Sequence, residues 1–165
     1  MNDRTTILET IHGSRLYGLQ RTVSDEDSFR VVAYRSKPLV KFDGFNDTAE
    51  FGLDDFLTNV FNGSHQSCEA LWSPYATIHP MWEPYLQSIR VTGADAFARY
   101  RRTIHSFSYG DLKKRRHAVR LGYNLADLRK YGRFNPVLTP GQHDMVVVLA
   151  ELYSGQSLFD IAINL

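Results

Sequence analysis

Two aspartates, Asp25 and Asp27, stand just before an apolar run and are the residues of this chain with the most evident chemical use. The run that follows, 29–34, has the β-branched and aromatic content of a strand. Because side chains along a strand repeat with a period of two, both carboxylates are expected to project from one face, just beyond its start. Neighbouring carboxylates repel each other, and a divalent cation between them relieves that repulsion. The spacing therefore predicts a metal site.

A third carboxylate is expected near this pair, because phosphoryl transfer at a two-metal site usually uses three. Asp47 and Glu50 are the candidates, and both belong to a short segment, 47–51, that is predicted to be extended. They would face opposite sides of that segment. The chemistry of the two residues does not choose between them.

A Gly-Ser pair, Gly13-Ser14, precedes the two aspartates in the chain. Gly13 lets the backbone turn sharply, and Ser14 is suited to cap a short helical turn over 15–19. Backbone N–H groups at such a helix start, with the helix dipole behind them, bind phosphate oxygens. Arg15 stands beside this point and would neutralise phosphate charge, although a solvated surface arginine is an equal alternative.

A polar stripe on the longest predicted helix, 112–131, is the second candidate for ligand contact. Its members recur at helical spacing and are Lys113, His117, Arg120 and Asn124. The stripe borders the apolar face of the helix, so it is placed to face a cleft and contact triphosphate or an RNA backbone. A solvated basic face is the alternative for the basic residues that begin the helix. Of the other histidines, none has metal-ligand spacing, and His12 and His65 are interpreted as structural.

The predicted elements define an α/β protein: a small mixed-sheet core followed by a mainly helical C-terminal half. Strands are predicted over 5–11 and 29–34, a polar connection over 35–46, and an amphipathic helix from Leu53 to Phe61 that packs on the sheet. Beyond residue 80 the pattern is helical. The division expected is a core at 1–75 and a helical region at 76–165 packed on it. The last two sets of apolar positions predict inner faces: Ala118, Leu121, Leu125 and Leu128 on one helix, and Met145, Val148, Leu149 and Leu152 on the next.

Bulk properties exclude several classes of protein. The chain has 43% hydrophobic and 13% aromatic residues, which suits a folded core rather than a disordered segment. A formal net charge of +1 gives no global bias toward nucleic acid, so any basic site must be local. The single Cys68 cannot form an internal disulfide. Neither a membrane span nor a signal peptide is evident, and a cytoplasmic location is therefore expected.

The blocks of residues resemble the DNA polymerase beta superfamily of nucleotidyltransferases. The pattern Gly13-Ser14-x-x-Tyr17-Gly18, followed by Ser24-Asp25-x-Asp27, is similar to one branch, the predicted nucleotidyltransferases named for an RNA-repair pathway. Three later blocks are also similar to that branch: 47–57, a block centred on Glu69, and Lys113-x-x-x-His117-Ala-x-Arg120-Leu. The departures are Arg30, where the branch commonly has glycine, and Ser64-His65, where Asn-Pro is usual.

This resemblance implies a magnesium-dependent enzyme that transfers a nucleoside monophosphate from a nucleoside triphosphate, such as ATP, to a hydroxyl group. It implies that Gly13 and Ser14 hold the triphosphate and that Asp25, Asp27 and Asp47 bind two metal ions. Arg15, Lys113, His117 and Arg120 become candidate contacts to phosphate or acceptor. The acceptor implied by the family name is an RNA 3′ end, and the alternatives are a protein hydroxyl or a catalytically silent domain that binds nucleotide or a partner.

Overall fold

The computed structural model describes residues 5–19, 27–34, 37–42 and 47–165. It contains one five-stranded mixed sheet and a second half that is mostly helical, so the predicted α/β class is confirmed. Among the described strands the sheet has the order β3-β4-β2-β1-β5, in which β2 and β4 pair in parallel and the other neighbours pair antiparallel. The strands are β1 (Thr6–His12), β2 (Asp27–Val32), β3 (Leu39–Phe42), β4 (Asp47–Gly52) and β5 (Thr77–Ile78).

Most of the described residues beyond residue 80 are helical, as predicted. The amphipathic helix and the long helix have the predicted bounds, since strong periodicity and clear end signals coincide there. The helices are α1 (Ser14–Tyr17), α2 (Leu53–Phe61), α3 (His65–Leu71), α4 (Glu83–Ser88), α5 (Ala94–Ser108), α6 (Leu112–Tyr131), α7 (Pro140–Leu152) and α8 (Gly155–Ala162).

Two local predictions in the first half of the chain were wrong. The connection predicted to be polar and irregular contains the edge strand β3, whose four residues are too few for an alternating pattern to be recognised. Ser14 does not cap α1: it is the first residue of the helix, and Gly13 occupies the cap position with φ 71° and ψ −153°. A strand, β5, also comes from beyond residue 75 and pairs with β1. The division into a core at 1–75 and a helical region at 76–165 stays a prediction.

The sheet is buried between layers around its central strands. Ile7 and Leu8 are neighbours in β1 and are both fully buried, as expected for a strand that is covered on both faces. On β2, the ring of Phe29 stacks on Phe51 of β4 with centroids 5.1 Å apart and lies 5.9 Å from the ring of Phe56. Phe56 belongs to α2, so this aromatic contact confirms that α2 packs on the sheet.

The long helix α6 lies at the centre of the helical half, against α5, α7 and α8. All four residues of its predicted apolar stripe are fully buried. The inner face predicted for α7 was wrong at three of its four positions: Met145, Val148 and Leu152 are 43%, 46% and 70% exposed. Residues 145–150 are all apolar, so periodicity could not identify the buried side, and α7 instead buries the side that contains Val146 and Ala150.

The close approach of α6 and α8 gives a test of this packing. A Cβ added to Gly122 would lie 2.3 Å from the carbonyl oxygen of Ala162. Alanine is favoured over glycine inside a helix by about 1 kcal/mol, but overpacking against backbone costs about 1–3 kcal/mol. The steric cost is the larger because α8 must move. We therefore expect Gly122→Ala to lower the free energy of unfolding in urea by about 1–2 kcal/mol.

The matched control for this prediction is Gly141→Ala, near the start of α7. A Cβ there meets nothing within 4 Å, so only the helix propensity changes and the protein should be unchanged or slightly more stable. A Gly122→Ala protein as stable as Gly141→Ala would contradict the packing of α6 against α8.

Candidate active site

A cleft of about 770 Å³ lies between one face of the sheet, the turn that leads into α1, and the first half of α6. The strands β2 and β4 contribute acidic and aromatic side chains to it, and α6 contributes basic ones. Arg15 is exposed and does not belong to this lining, and Asp25 lies outside the described residues. The predicted site residues that line the cleft are Gly13, Ser14, Asp27, Asp47, Lys113, His117 and Arg120.

Gly13 contacts Asp27 so closely that only glycine fits at position 13. Gly13 has φ 71° and ψ −153°, a conformation that side chains other than glycine rarely adopt. A Cβ at this position would also lie 2.2 Å from Oδ2 of Asp27. The contact arises because the end of β1 pairs with the start of β2, with His12 opposite Asp27. The Gly-Ser turn and the second aspartate therefore form one local unit.

Asp27 and Asp47 lie at the starts of adjacent parallel strands. The backbone N–H of Asp47 donates a hydrogen bond of 3.2 Å to Oδ1 of Asp27, and Ser28 pairs with Thr48 in the next register position. Glu50 has a different environment, since it lies 3.9 Å from Arg30, which also donates a 2.8 Å hydrogen bond to Glu9. The geometry thus favours Asp47 over Glu50 as the further carboxylate of the cleft.

The donor chemistry of this wall fits a magnesium ion. Magnesium prefers carboxylate oxygens and a few water molecules, and Asp27 and Asp47 supply two carboxylates on one side of the cleft. Within the part of the chain that the structure describes, no group of three or more His, Cys, Asp or Glu side chains is placed to hold a metal ion. Asp25, the remaining predicted ligand, is not in that part.

A polar cluster joins α1, α3 and α6 at the floor of the cleft, and its members are Tyr17, Glu69, His117 and Arg120. We call it the buried cluster: three of its members are buried, and His117 is half-buried and also lines the cleft. Nη1 of Arg120 donates to Oε1 of Glu69, and the hydroxyl of Tyr17 donates to Oε2 of the same carboxylate. The guanidinium carbon of Arg120 lies 3.6 Å from the centre of the Tyr17 ring. Nε of Arg120 donates to Nδ1 of His117 over 3.4 Å.

Burial determines the protonation of the cluster. Burial opposes ionisation of Glu69, but Arg120 and the nearby histidines more than offset it and lower the pKa of that carboxyl. Burial raises the pKa of Tyr17 well above its ordinary value, and the Glu69 carboxylate raises it further. Burial lowers the pKa of His117 to about 3, and the cation of Arg120 acts in the same direction. At neutral pH, Glu69 and Arg120 are therefore charged while Tyr17 and His117 are neutral.

These pKa values make acid stability a direct test of the arrangement. The folded-state pKa of His117 lies below its ordinary value of 6.5, so its contribution to stability is present above pH 6.5 and is lost as pH falls toward 3. Between about pH 6 and pH 4 we expect His117→Gln to reduce the slope of the unfolding free energy against pH by about 1.4 kcal/mol per pH unit, the value for one proton. Urea unfolding at a series of pH values measures this slope.

The control for the pH series is Val148→Ala on α7, whose side chain is 46% exposed and has no titratable group. This variant should keep the wild-type slope. Burial also lowers the pKa of His12 and of His65, so a pH dependence should persist in His117→Gln at a reduced slope. An unchanged slope in His117→Gln would contradict the burial of this imidazole.

The environment of Arg120 differs from the one that the helical stripe predicted. Its side chain is 1% exposed and paired with a fully buried carboxylate, although an atom of the residue still reaches the cleft lining. Lys113 and His117 are on the cleft wall, and Asn124 is buried in the helical half. Arg120 is thus placed to act on its neighbours beneath the cleft.

Several cleft residues were missed or were interpreted as structural. His12 and His65 line the cleft, and so does Arg116. Arg116 is one of the basic residues near the start of α6 for which a solvated face was the alternative prediction. Glu69 carried a detectable signal, because a single carboxylate inside the apolar run Cys68-Glu69-Ala70-Leu71-Trp72 must be paired if that run is buried. Its partner, 51 positions further along the chain, had no such signal.

The comparisons with known proteins do not assign the chain to a family. No protein-family model matches it, and no match was found among curated proteins. None of the helices formed by the described residues has the length and apolar character needed to cross a membrane.

Proposed function

We propose that this protein is a magnesium-dependent nucleotidyltransferase that transfers a nucleoside monophosphate from a nucleoside triphosphate to a hydroxyl acceptor. The observation that carries the proposal is the contact of Gly13 with Asp27 beside Asp47, at one wall of a cleft whose other wall is basic. Each part has a use in this chemistry: the carboxylates hold cations, the glycine turn approaches the phosphates, and the basic wall receives phosphate charge. A purely structural turn has no need of such a combination.

The roles of the residues follow from their positions. Asp27 and Asp47, with Asp25, would hold magnesium, which when bound neutralises the triphosphate and acidifies the acceptor hydroxyl. Gly13 and Ser14 would lie along the triphosphate. Asp47 is the candidate base that accepts the proton of the hydroxyl as its oxygen attacks the α-phosphorus. A new P–O bond then forms, the bond to pyrophosphate breaks, and pyrophosphate leaves with its charge.

The acceptor that we propose is the 3′ hydroxyl of an RNA. Lys113 is exposed and lines the cleft together with Arg116, so the part of the cleft formed by α6 carries positive charge that suits a polynucleotide backbone. Because the protein as a whole carries a formal charge of only +1, this local charge matters more than the total. An assay with RNA and with protein acceptors in parallel distinguishes this acceptor from a protein hydroxyl.

Thermal denaturation with magnesium and each nucleoside triphosphate tests the proposal. Ligand at a hundredfold excess over its Kd stabilises the folded state by about 2.7 kcal/mol, which for a protein of this size raises Tm by roughly 5–10 °C. We expect this rise in the wild-type protein and its loss in the double variant Asp25→Asn, Asp27→Asn. The amide oxygen introduced at position 27 can still accept from the Asp47 N–H, so the variant should remain folded.

Glu50→Gln is the matched control, because Glu50 lies beside Arg30 rather than in the cleft lining. It should keep the rise in Tm. A rise that survives in the double aspartate variant, or the absence of transfer to RNA and to protein alike, would overturn the proposed function.

A further inference from the structure

Arg120 of α6 contacts side chains from three helices at once. Its guanidinium group pairs with Glu69 of α3, lies over the ring of Tyr17 of α1, and donates from Nε to His117, one helical turn before it on α6. Tyr17 and Glu69 are also hydrogen-bonded to each other, so each of Arg120, Glu69 and Tyr17 contacts the other two. The helices joined in this way are those that supply Ser14, His65 and Lys113 to the cleft.

The contact with His117 determines which ring nitrogen carries a proton. An arginine guanidinium has only donors, so Nδ1 of His117 must accept with its lone pair. A neutral imidazole that accepts at Nδ1 carries its proton on Nε2. The guanidinium group of Arg120 is planar, and its Nη1 is bound to the carboxylate of Glu69. This bond fixes the plane of the group and so holds Nε in the direction that the hydrogen bond to His117 requires.

The orientation of the imidazole ring is also restricted. The ring of His117 meets the ring of Tyr17 edge to face at 5.9 Å and lies 6.2 Å from the ring of Phe107. Nδ1 is turned toward buried Arg120, whereas His117 as a whole lines the cleft. Nε2, on the other edge of the ring, is therefore the nitrogen available to a ligand.

We infer that Glu69 and Arg120 are positioning residues that hold His117 as the neutral Nε2–H tautomer, so that the imidazole offers one hydrogen-bond donor, without positive charge, to a phosphate or sugar oxygen in the cleft. The ligand oxygen rests on the proposed function; the tautomer rests on the geometry of the buried cluster alone. The low pKa of His117 agrees with a neutral ring at neutral pH.

NMR of the protein with nitrogen-labelled histidines tests the tautomer without any ligand. We expect the wild-type signal of His117, assigned by its loss in His117→Gln, to show a single neutral form with the proton on Nε2 at neutral pH. Arg120→Lys keeps a cation near Glu69 but lacks the planar fork, so a mixture of the two neutral tautomers is expected in that variant. A proton on Nδ1 or a charged ring in the wild-type protein would overturn the inference even if Arg120→Lys does not fold.

Binding of magnesium and α,β-methylene ATP, a triphosphate analogue that resists cleavage, tests the donor role. The side-chain amide of glutamine can replace Nε2–H, whereas that of asparagine is too short and resembles Nδ1 instead. A hydrogen bond to a charged group contributes about 1.5–3 kcal/mol, so His117→Asn should weaken binding by roughly tenfold or more. His117→Gln should recover a clear part of that loss.

Equal binding by His117→Asn, His117→Gln and the wild-type protein would overturn the donor role. If the analogue does not bind to the wild-type protein, the proposed function fails and the ligand contact fails with it. The tautomer measurement in the wild-type protein and in Arg120→Lys still decides whether Arg120 positions the ring, so the two failures are distinguishable.

Discussion

Asp47→Asn is expected to lower the rate of nucleotidyl transfer by about a thousandfold, the upper range for losing one electrostatic stabiliser of a transition state. The amide of asparagine carries no negative charge to hold a cation, and it is too weak a base to accept the proton of a hydroxyl. The backbone N–H of residue 47 still donates to Asp27, so the contact between β2 and β4 is retained. Single-turnover assays with magnesium, labelled triphosphate and RNA measure this rate.

Glu50→Gln is the control for the choice of carboxylate. Glu50 is three positions from Asp47 on the same strand, and it lies near Arg30 instead of lining the cleft. This variant should transfer at nearly the wild-type rate. If Glu50→Gln lost activity and Asp47→Asn kept it, the face of β4 that we assign to the cleft would be wrong, because a shift of one residue exchanges the two faces of a strand.

Arg120→Met is expected to lower the free energy of unfolding by about 3–5 kcal/mol, the cost of leaving one charge of a buried ion pair without its partner. Glu69 is fully buried, so water cannot replace the lost guanidinium. Since small domains are stable by only about 5–15 kcal/mol, this loss would be a large share of the total. Urea denaturation at neutral pH measures it.

Two further variants test whether the loss comes from an unpaired buried charge. Replacing three members of the buried cluster with apolar residues, Tyr17→Phe, Glu69→Leu and Arg120→Met together, should cost less than Arg120→Met alone, since no charge is then left without a partner. Glu151→Gln removes another ion pair of α6, the one between Arg116 and Glu151 of α7, whose carboxylate is 54% exposed. That change should stay below about 1 kcal/mol. An Arg120→Met protein as stable as Glu151→Gln would contradict the burial of the pair.

The elements with strong periodicity could be predicted from the sequence, and the contacts between them could not. The bounds of α2 and α6 and the apolar stripe of α6 followed from helical spacing and end signals. The buried face of α7 could not be predicted, because six consecutive apolar residues do not show which side of the helix is buried. The edge strand β3 was too short to be recognised. A local pattern predicts the type of an element reliably when apolar residues recur among polar ones with the helical period over several turns.

The sequence by itself selected Gly13, Ser14, Asp27, Lys113 and His117 by type and spacing as candidates for chemistry. It left Asp47 and Glu50 as alternatives until the resemblance favoured Asp47. Asp47 and the five selected residues all line one cleft. The tertiary structure places Asp47 and not Glu50 in the cleft lining, and this depends on which face of β4 borders the cleft. It also decided that Arg120 pairs with Glu69. These residues lie 51 positions apart in the chain, on α6 and α3, and no local pattern encodes such a contact.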